Sequence, residues 1–168
     1  EVGGDFYDFI HFPDSKEIGI FQSDVSGHGV HAAFITSMIK TILLQAGDKL
    51  HDPAGFLYYM NDLLQNHIAG NYITAFYCIY SPDDRTLYYS NAGHNQPFII
   101  TGTSVTQLQN GINTAAAILP GNMLKKSNSK LINYRETLER NSKLLLFTDG
   151  FIEARSPDGY IFFENARM

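Results

Sequence analysis

The sequence of 168 residues contains one cysteine, no tryptophan and no long apolar run. Cys78 has no second cysteine to pair with, so an internal disulfide is excluded and a reducing compartment, the cytoplasm, is expected. Cys78 stands in an apolar, strand-like segment, where core packing is favoured over a catalytic or metal-binding role. No segment approaches the roughly 20 apolar residues that cross a bilayer, so we expect no membrane contact from this chain.

Basic residues are also scarce, because 12 Lys and Arg stand against 17 Asp and Glu, for a formal net charge of −5. The basic residues are scattered and form no stripe, which argues against nucleic-acid binding. With 44% hydrophobic and 17% charged residues, the composition is that of a globular protein. The length predicts a single domain over residues 1–168. Its abrupt start within a strand-like segment leads us to expect that an upstream part of the domain is missing.

The hydrophobic pattern predicts a hairpin, two helices and then mostly strands. One helix is predicted from Val30, where apolar residues recur every three or four positions. A second helix is bracketed by Asp52 and Pro53 at its start and by Gly70 just past its end. The predicted strands are residues 6–12, 17–24, 72–80, 86–90, 97–100, 104–109, 131–138 and 143–147. Without regular β-α-β alternation, this order predicts an α+β fold with helices packed on antiparallel sheets.

Two segments carry more specific expectations. Residues 111–130 are weakly patterned and rich in small and polar residues, which predicts a mobile surface loop. Residues 143–147 are almost continuously apolar, which predicts a buried strand.

Three aspartates share one local pattern. Asp5 follows Gly3-Gly4, Asp24 precedes the segment 25–29 (VSGHG), and Asp149 precedes Gly150. Each therefore stands at a predicted strand exit with glycine nearby, where the chain turns sharply. Carboxylates gathered at such ends repel one another unless cations lie between them, and hard oxygen ligands suit Mg²⁺ or Mn²⁺ rather than zinc. The alternative for any single aspartate is that it caps a turn or a helix. The threefold repetition of the pattern favours a shared metal site.

Two histidines, His28 and His94, occupy glycine-rich turns. Either could donate a proton to a leaving group near neutral pH. The alternative is that each histidine only forms hydrogen bonds within its own loop. The sequence contains no zinc-ligand spacing, no P-loop, no nucleophile elbow and no dinucleotide-binding fingerprint.

Four segments carry a family resemblance. They are residues 3–8 (GGDFYD), 24–29 (DVSGHG), 91–97 (NAGHNQP) and 146–150 (LFTDG), the last followed by EAR at 153–155. In this order they resemble the stage II sporulation protein E (SpoIIE-like) branch of the PPM protein serine/threonine phosphatases. The resemblance implies an α-β-β-α sandwich of two antiparallel sheets flanked by helices, here lacking terminal strands, with a two-metal site at one end of the sheets.

The resemblance also implies roles for individual residues. Asp5 and Asp24 would bridge two divalent cations, Mn²⁺ or Mg²⁺, the Val25 carbonyl would add a ligand, and Asp149 would hold one ion. The metals would activate water for direct attack on phosphoserine or phosphothreonine. The implied partner is a phosphorylated protein, an anti-anti-sigma-type regulator, within bacterial signal transduction that controls a sigma factor.

The sequence departs from the family pattern in three places. The family closes with a strand that carries an acidic pair, whereas only Glu153, Asp158 and Glu164 follow Asp149 here, and residues 118–121 (ILPG) replace the expected Pro-Leu-Gly. The strand that the family has before Gly3 is absent as well, so we expect a domain cut short at both ends. We also expect weak metal binding and an open sheet edge that pairs with a second copy to form a homodimer. Two alternatives stay open: a catalytically silent PPM-like signalling or binding module, and a metal-dependent phosphoesterase acting on small phosphate esters.

Overall fold

The computed structural model describes residues 3–68, 70–108 and 114–154. The elements are β1 (Phe6–His11), β2 (Ile18–Val25), α1 (Val30–Gln45), a 3-10 turn (Gly47–His51), α2 (Pro53–Leu64), β3 (Ile73–Ser81), β4 (Thr86–Ala92), β5 (Phe98–Thr101), β6 (Ser104–Gln107), α3 (Gly121–Leu124), β7 (Tyr134–Thr137), β8 (Lys143–Leu145) and α4 (Asp149–Ile152). The predicted order of a hairpin, two helices and then mostly strands is confirmed.

Two antiparallel sheets form the body of the molecule. The larger sheet has the strand order β1-β2-β3-β4-β7, and the smaller has the order β6-β5-β8. Every pair of neighbouring strands is antiparallel. Two antiparallel sheets with associated helices agree with the predicted fold class.

The two faces of the larger sheet bury different cores. On one face Phe21 and Val25 of β2 pack in a cluster with residues of the two long helices, such as Ile39 and Phe56. On the other face a smaller cluster includes Cys78 and lies towards the second sheet. Cys78 is fully buried, as predicted, and burial raises the pKa of its thiol. The sheet is therefore covered on both faces, and its ends are left for polar chemistry.

Strand register determines which residues meet at one of these ends. Phe6 of β1 lies opposite Ser23 of β2, so Asp5 emerges beside the end of β2 that carries Asp24. Asp24 in turn lies opposite Thr74 at the start of β3. Residues far apart in the sequence are thereby brought to one end of the larger sheet.

The start of α2 is capped by a residue that lies far away in the sequence. Asp52 occupies the predicted cap position and Pro53 the first helical position, but Asp52 caps no backbone group of the helix. Instead, the backbone N–H of Ala54 donates to Oδ1 of Asn133 at 2.8 Å, and Nδ2 of Asn133 donates to Asp52 at 2.6 Å. Asn133 therefore supplies the acceptor that a helix start requires.

The prediction that α2 extends almost to Gly70 is wrong. The helix ends at Leu64. A tighter turn follows, in which the N–H of His67 donates to the carbonyl of Leu64, three residues earlier, at 2.9 Å. Gly70 has a φ of +83° and belongs to the turn that leads into β3.

The prediction of a loose loop over residues 111–130 is also wrong for the part that the structure describes. Ala116 forms two backbone hydrogen bonds with Ile73, of 2.8 and 3.1 Å. Buried Asn61 of α2 accepts from the N–H of Ala117 at 2.8 Å and donates to the carbonyl of Leu119 at 3.1 Å. A side chain on a helix thus holds the segment where local sequence patterning is weak.

The prediction of a buried strand at residues 143–147 is wrong as well. Strand β8 covers only Lys143–Leu145 and leaves Leu145 43% exposed, and among the described strands it lies at the edge of the smaller sheet. An edge strand has a neighbour on one side only, so its apolar composition does not ensure burial.

Some predicted features lie outside the described residues, among them Arg155, Asp158 and Glu164. Within the described ranges, no helix combines the length and apolar character needed to span a membrane.

We predict that Asn61→Ala destabilises the protein by about 2–3 kcal/mol, because it leaves a buried N–H and a carbonyl of the 117–119 segment without their partner. Denaturant unfolding measures the loss. The matched control is Asn122→Ala at an exposed position of α3, where a change within about 0.5 kcal/mol is expected. Equal effects of the two substitutions would contradict the anchoring role of Asn61.

Candidate active site

Three strand ends carry the predicted carboxylates. Asp24 is the penultimate residue of β2, and Asp149 is the first residue of α4, shortly after β8. For Asp5 the predicted strand exit is wrong, because this residue immediately precedes β1 and so stands at a strand entry. Asp5 and Asp149 are exposed, whereas Asp24 is half-buried.

The electrostatics of Asp24 show that these carboxylates act on one another. Burial, followed by the charges of Asp149 and Asp5, raises the pKa of Asp24 to about 6. Asp5 is also within hydrogen-bonding reach of Asp24, and the charge of Glu153 adds a smaller effect in the same direction. The structure therefore brings Asp5, Asp24 and Asp149 to a common region, together with Glu153, which the sequence analysis did not select as a site residue.

The backbone packs tightly between Asp5 and Asp24. The N–H of Val25 donates to the carbonyl of Gly4 at 3.3 Å, and a Cβ placed on Gly4 would lie only 2.4 Å from the carbonyl oxygen of Val25. Only glycine permits this approach, which explains the glycine before Asp5. The Val25 carbonyl thereby lies close to the backbone that carries Asp5.

A hydroxyl group links Asp5 to the segment that carries Asp149. Oγ1 of Thr148 donates a hydrogen bond to Oδ2 of Asp5 at 2.8 Å. Thr148 was not predicted to be a site residue, although it belongs to the LFTDG segment that carries the family resemblance.

His94 lies in a closed polar environment behind the carboxylates. Its Nδ1 is 2.8 Å from Oγ1 of Thr74, its backbone N–H donates to Oδ1 of Asn91 at 2.7 Å, and Nδ2 of Asn91 donates back to its carbonyl at 3.0 Å. Burial lowers the pKa of His94 to about 4, against the opposing influence of Asp5 and the Phe147 backbone. His94 is then neutral at physiological pH, which disfavours the predicted role as an imidazolium proton donor.

His28, unlike the buried His94, has an exposed side chain. It is exposed in a turn whose flanking glycines, Gly27 and Gly29, have φ angles of +91° and +78°. Its side chain forms no hydrogen bond with the part of the chain that the structure describes. A catalytic role for His28 stays a prediction.

The donor atoms at this edge fit hard divalent cations. They are carboxylate oxygens and a main-chain carbonyl, the ligands that Mg²⁺ and Mn²⁺ prefer. Among the described residues, no three His, Cys, Asp or Glu side chains have the arrangement of a formed metal site. Asp5 and Asp24 are in contact, and Asp149 acts on Asp24 through its charge. Burial is the main cause of the raised pKa of Asp24, and the repulsion from Asp149 and Asp5 that adds to it would be relieved by positive ions.

An apolar cavity of about 640 Å³ lies elsewhere, at the hairpin end of β1 and β2. Phe9, Ile20, Leu87 and Leu144 line it, and none of the predicted site residues does. The carboxylate edge, rather than this cavity, therefore carries the candidate chemistry.

We predict that Gly4→Ala destabilises the protein by about 1–3 kcal/mol, because the added methyl group collides with the Val25 carbonyl. Gly3→Ala is the matched control, since the nearest atom to a Cβ there lies 3.9 Å away. Thermal and denaturant unfolding compare the two variants. A Gly4→Ala protein as stable as Gly3→Ala would show that the close approach is not a constraint.

A second prediction concerns pH. The folded state binds the Asp24 proton more tightly than the unfolded chain, whose ordinary pKa is 3.8. The resulting stabilisation is present below about pH 4 and is lost as the pH rises through about 6. Asp24→Asn should therefore stabilise the chelator-treated protein at pH 8, on the order of 1 kcal/mol once solvent screening is allowed for.

Denaturant unfolding between pH 4 and pH 8 measures this difference, with Asp14→Asn in the exposed β1–β2 turn as control. The gain should shrink toward pH 4. A gain that is the same at every pH would assign it to something other than charge.

Comparison with known proteins places this geometry in a family. Residues 14–168 match the family described as stage II sporulation protein E (SpoIIE). Over 165 residues the chain is 28% identical to the phosphoserine phosphatase RsbU of Bacillus subtilis (strain 168), covering 96% of this chain and 46% of RsbU. The chain thus spans less than half the length of that relative.

Solved structures show the same fold. The SiaA-PP2C domain of Pseudomonas aeruginosa matches with a TM-score of 0.74 and 23% identity, over 99% of this chain and 64% of that chain. RsbX in complex with magnesium matches with a TM-score of 0.67 and 19% identity, over 94% of this chain and 70% of that chain. Since the family match covers nearly the whole chain and includes Asp24 and Asp149, the chain belongs to the stage II sporulation protein E (SpoIIE) family.

Proposed function

We propose that this chain forms the catalytic domain of a divalent-metal-dependent protein serine/threonine phosphatase. The observation that carries the proposal is the convergence of Asp5, Asp24 and Asp149 at one edge of the larger sheet, expressed in the raised pKa of Asp24. Membership of the SpoIIE family and the likeness to a phosphoserine phosphatase support the activity. The magnesium in the RsbX structure supports the metal dependence.

Each residue has a distinct role in this proposal. Asp5, Asp24 and Asp149 would hold two divalent ions, Mn²⁺ or Mg²⁺, and the Val25 carbonyl would add a ligand. When bound, such ions supply Lewis acidity toward a phosphate and make water a better nucleophile near neutral pH. Two divalent ions also offset the formal charge of −5 and turn a repulsive acidic edge into one that attracts phosphate.

The exposure of the carboxylate edge makes it accessible to a large substrate. Asp5 and Asp149 are open to solvent, so a phosphorylated residue on another protein's surface can reach them. We propose a phosphorylated regulator of the anti-anti-sigma type as substrate, within cytoplasmic control of a sigma factor, by likeness to RsbU. The expected homodimer stays a prediction.

The neutral, buried His94 takes a supporting part. Its contacts with Thr74 and Asn91 hold the loop behind the carboxylates, and a proton on its ring is disfavoured. The leaving-group proton is therefore not assigned to His94 in this proposal.

The test is Mn²⁺-dependent release of phosphate from a phosphoserine-bearing regulator of the anti-anti-sigma type. Asp24→Ala and Asp149→Ala should each lower the rate by at least about 100-fold, because each removes a carboxylate that would hold a cation, and the cations would neutralise charge at the reacting phosphate. Asp14→Ala, an exposed aspartate remote from the edge, is the control and should keep the wild-type rate. Full activity of both site variants would refute the metal mechanism.

The two alternatives give different results in the same assay. A silent signalling module would bind the phosphorylated regulator but release no phosphate with either metal. A phosphoesterase for small esters would turn over a nucleotide panel faster than the phosphoprotein. Membership of the SpoIIE family and the likeness to a phosphoserine phosphatase support the phosphatase over both alternatives.

A further inference from the structure

We propose that Thr148 is a positioning residue that orients Asp5 for cation binding. This inference rests on the proposed function and adds to it a residue that does not itself hold a cation. The central observation is the 2.8 Å hydrogen bond from Oγ1 of Thr148 to Oδ2 of Asp5.

The direction of this hydrogen bond follows from its chemistry. An ionised carboxylate can only accept, so the hydroxyl proton of Thr148 must point to Oδ2 of Asp5. Rotation about the terminal bond of an aspartate side chain is otherwise broad. The hydrogen bond therefore selects one orientation of the carboxylate, with Oδ2 held by Thr148 and Oδ1 left for other ligands.

The local structure around Thr148 shows that this hydroxyl serves Asp5 rather than its own helix. Thr148 occupies the position that caps α4, where a threonine ordinarily accepts a hydrogen bond from a backbone N–H of the first turn. Its side chain makes no such bond here. The hydroxyl is directed instead to a residue 143 positions away in the sequence.

Gly150 lies close to the side chains of both Thr148 and Asp5. A Cβ placed on Gly150 would lie 3.7 Å from Oγ1 of Thr148 and 4.0 Å from Oδ2 of Asp5. The backbone that carries Asp149 thus passes directly beside the hydrogen bond. Through Thr148, the position of Asp5 is linked to the position of Asp149, so that two proposed ligands from distant segments are held together.

The expected effect follows from the behaviour of groups that orient metal ligands. Loss of such a partner typically weakens metal binding or activity by about 10- to 100-fold. Thr148→Val keeps the shape of the side chain and removes the hydroxyl, whereas Thr148→Ser keeps the hydroxyl and removes a methyl group. We expect the valine variant to bind Mn²⁺ about 10-fold more weakly or worse, and the serine variant to stay within about threefold of the wild type.

Isothermal titration calorimetry with Mn²⁺ alone measures the binding, independently of any phosphatase assay. Thr106→Val, an exposed threonine on β6, is the matched control and should leave Mn²⁺ binding unchanged. The melting temperature in chelator verifies that each variant folds, and it should fall only slightly for Thr148→Val, because the hydrogen bond to Asp5 is already present without metal. In the phosphatase assay, Thr148→Val should raise the Mn²⁺ concentration needed for half-maximal activity more than it lowers kcat at saturating Mn²⁺.

Different outcomes separate this inference from the function on which it rests. If the wild type binds no Mn²⁺, or if Asp24→Ala leaves binding intact, the proposed metal site is wrong. If the wild type binds Mn²⁺ and Asp24→Ala abolishes binding, but Thr148→Val binds as the wild type does, only the inference about Thr148 is overturned. Should the valine variant fold poorly, Thr148→Ala against Thr148→Ser makes the same comparison, and wild-type affinity of the alanine variant overturns the inference.

Discussion

Repulsion between carboxylates is the constraint on which the rest of the structure depends. Asp5, Asp24 and Asp149 come from three separate segments, and for Asp24 burial first, and then the charges of Asp149 and Asp5, disfavour the ionised form. The fold keeps the three close with contacts that carry no charge: the pairing of β1 with β2, the approach of Gly4 to Val25 and the hydroxyl of Thr148. The clustered carboxylates at this edge lower the stability of the folded state, and proteins tolerate such unfavourable arrangements mainly at functional sites.

The stability that offsets this repulsion comes from the two covered faces of the larger sheet. Aromatic and aliphatic side chains of β2 and β3 pack against α1 and α2 on one face and toward the smaller sheet on the other. Burial of one such side chain is worth about 1.5–3 kcal/mol, so a few of them outweigh the cost of an unfavourable carboxylate. Packing in the middle of the sheet and chemistry at its end therefore involve different residues.

Much of this arrangement could be predicted from the sequence, because periodicity and strand-exit motifs are local signals. The hydrophobic spacing that begins at Val30 predicted α1, and the shared glycine context selected Asp5, Asp24 and Asp149. The features that escaped prediction depend on partners far away in the chain. Asn133 caps α2, Asn61 holds the 117–119 segment, and Thr148 reaches Asp5. No local pattern indicates such pairs, and the burial that makes His94 neutral likewise appears only in three dimensions.

The hydrogen bond between Thr148 and Asp5 has a consequence for biosynthesis. Its two residues lie near opposite ends of the described chain, so the donor leaves the ribosome long after the acceptor. Helices and hairpins made of nearby residues can form during synthesis, whereas contacts of such long sequence separation must wait. A nascent or prematurely terminated chain would hold Asp5 and Asp24 without Thr148 and Asp149, so the proposed metal site would be complete only once translation has passed the segment that contains Asp149.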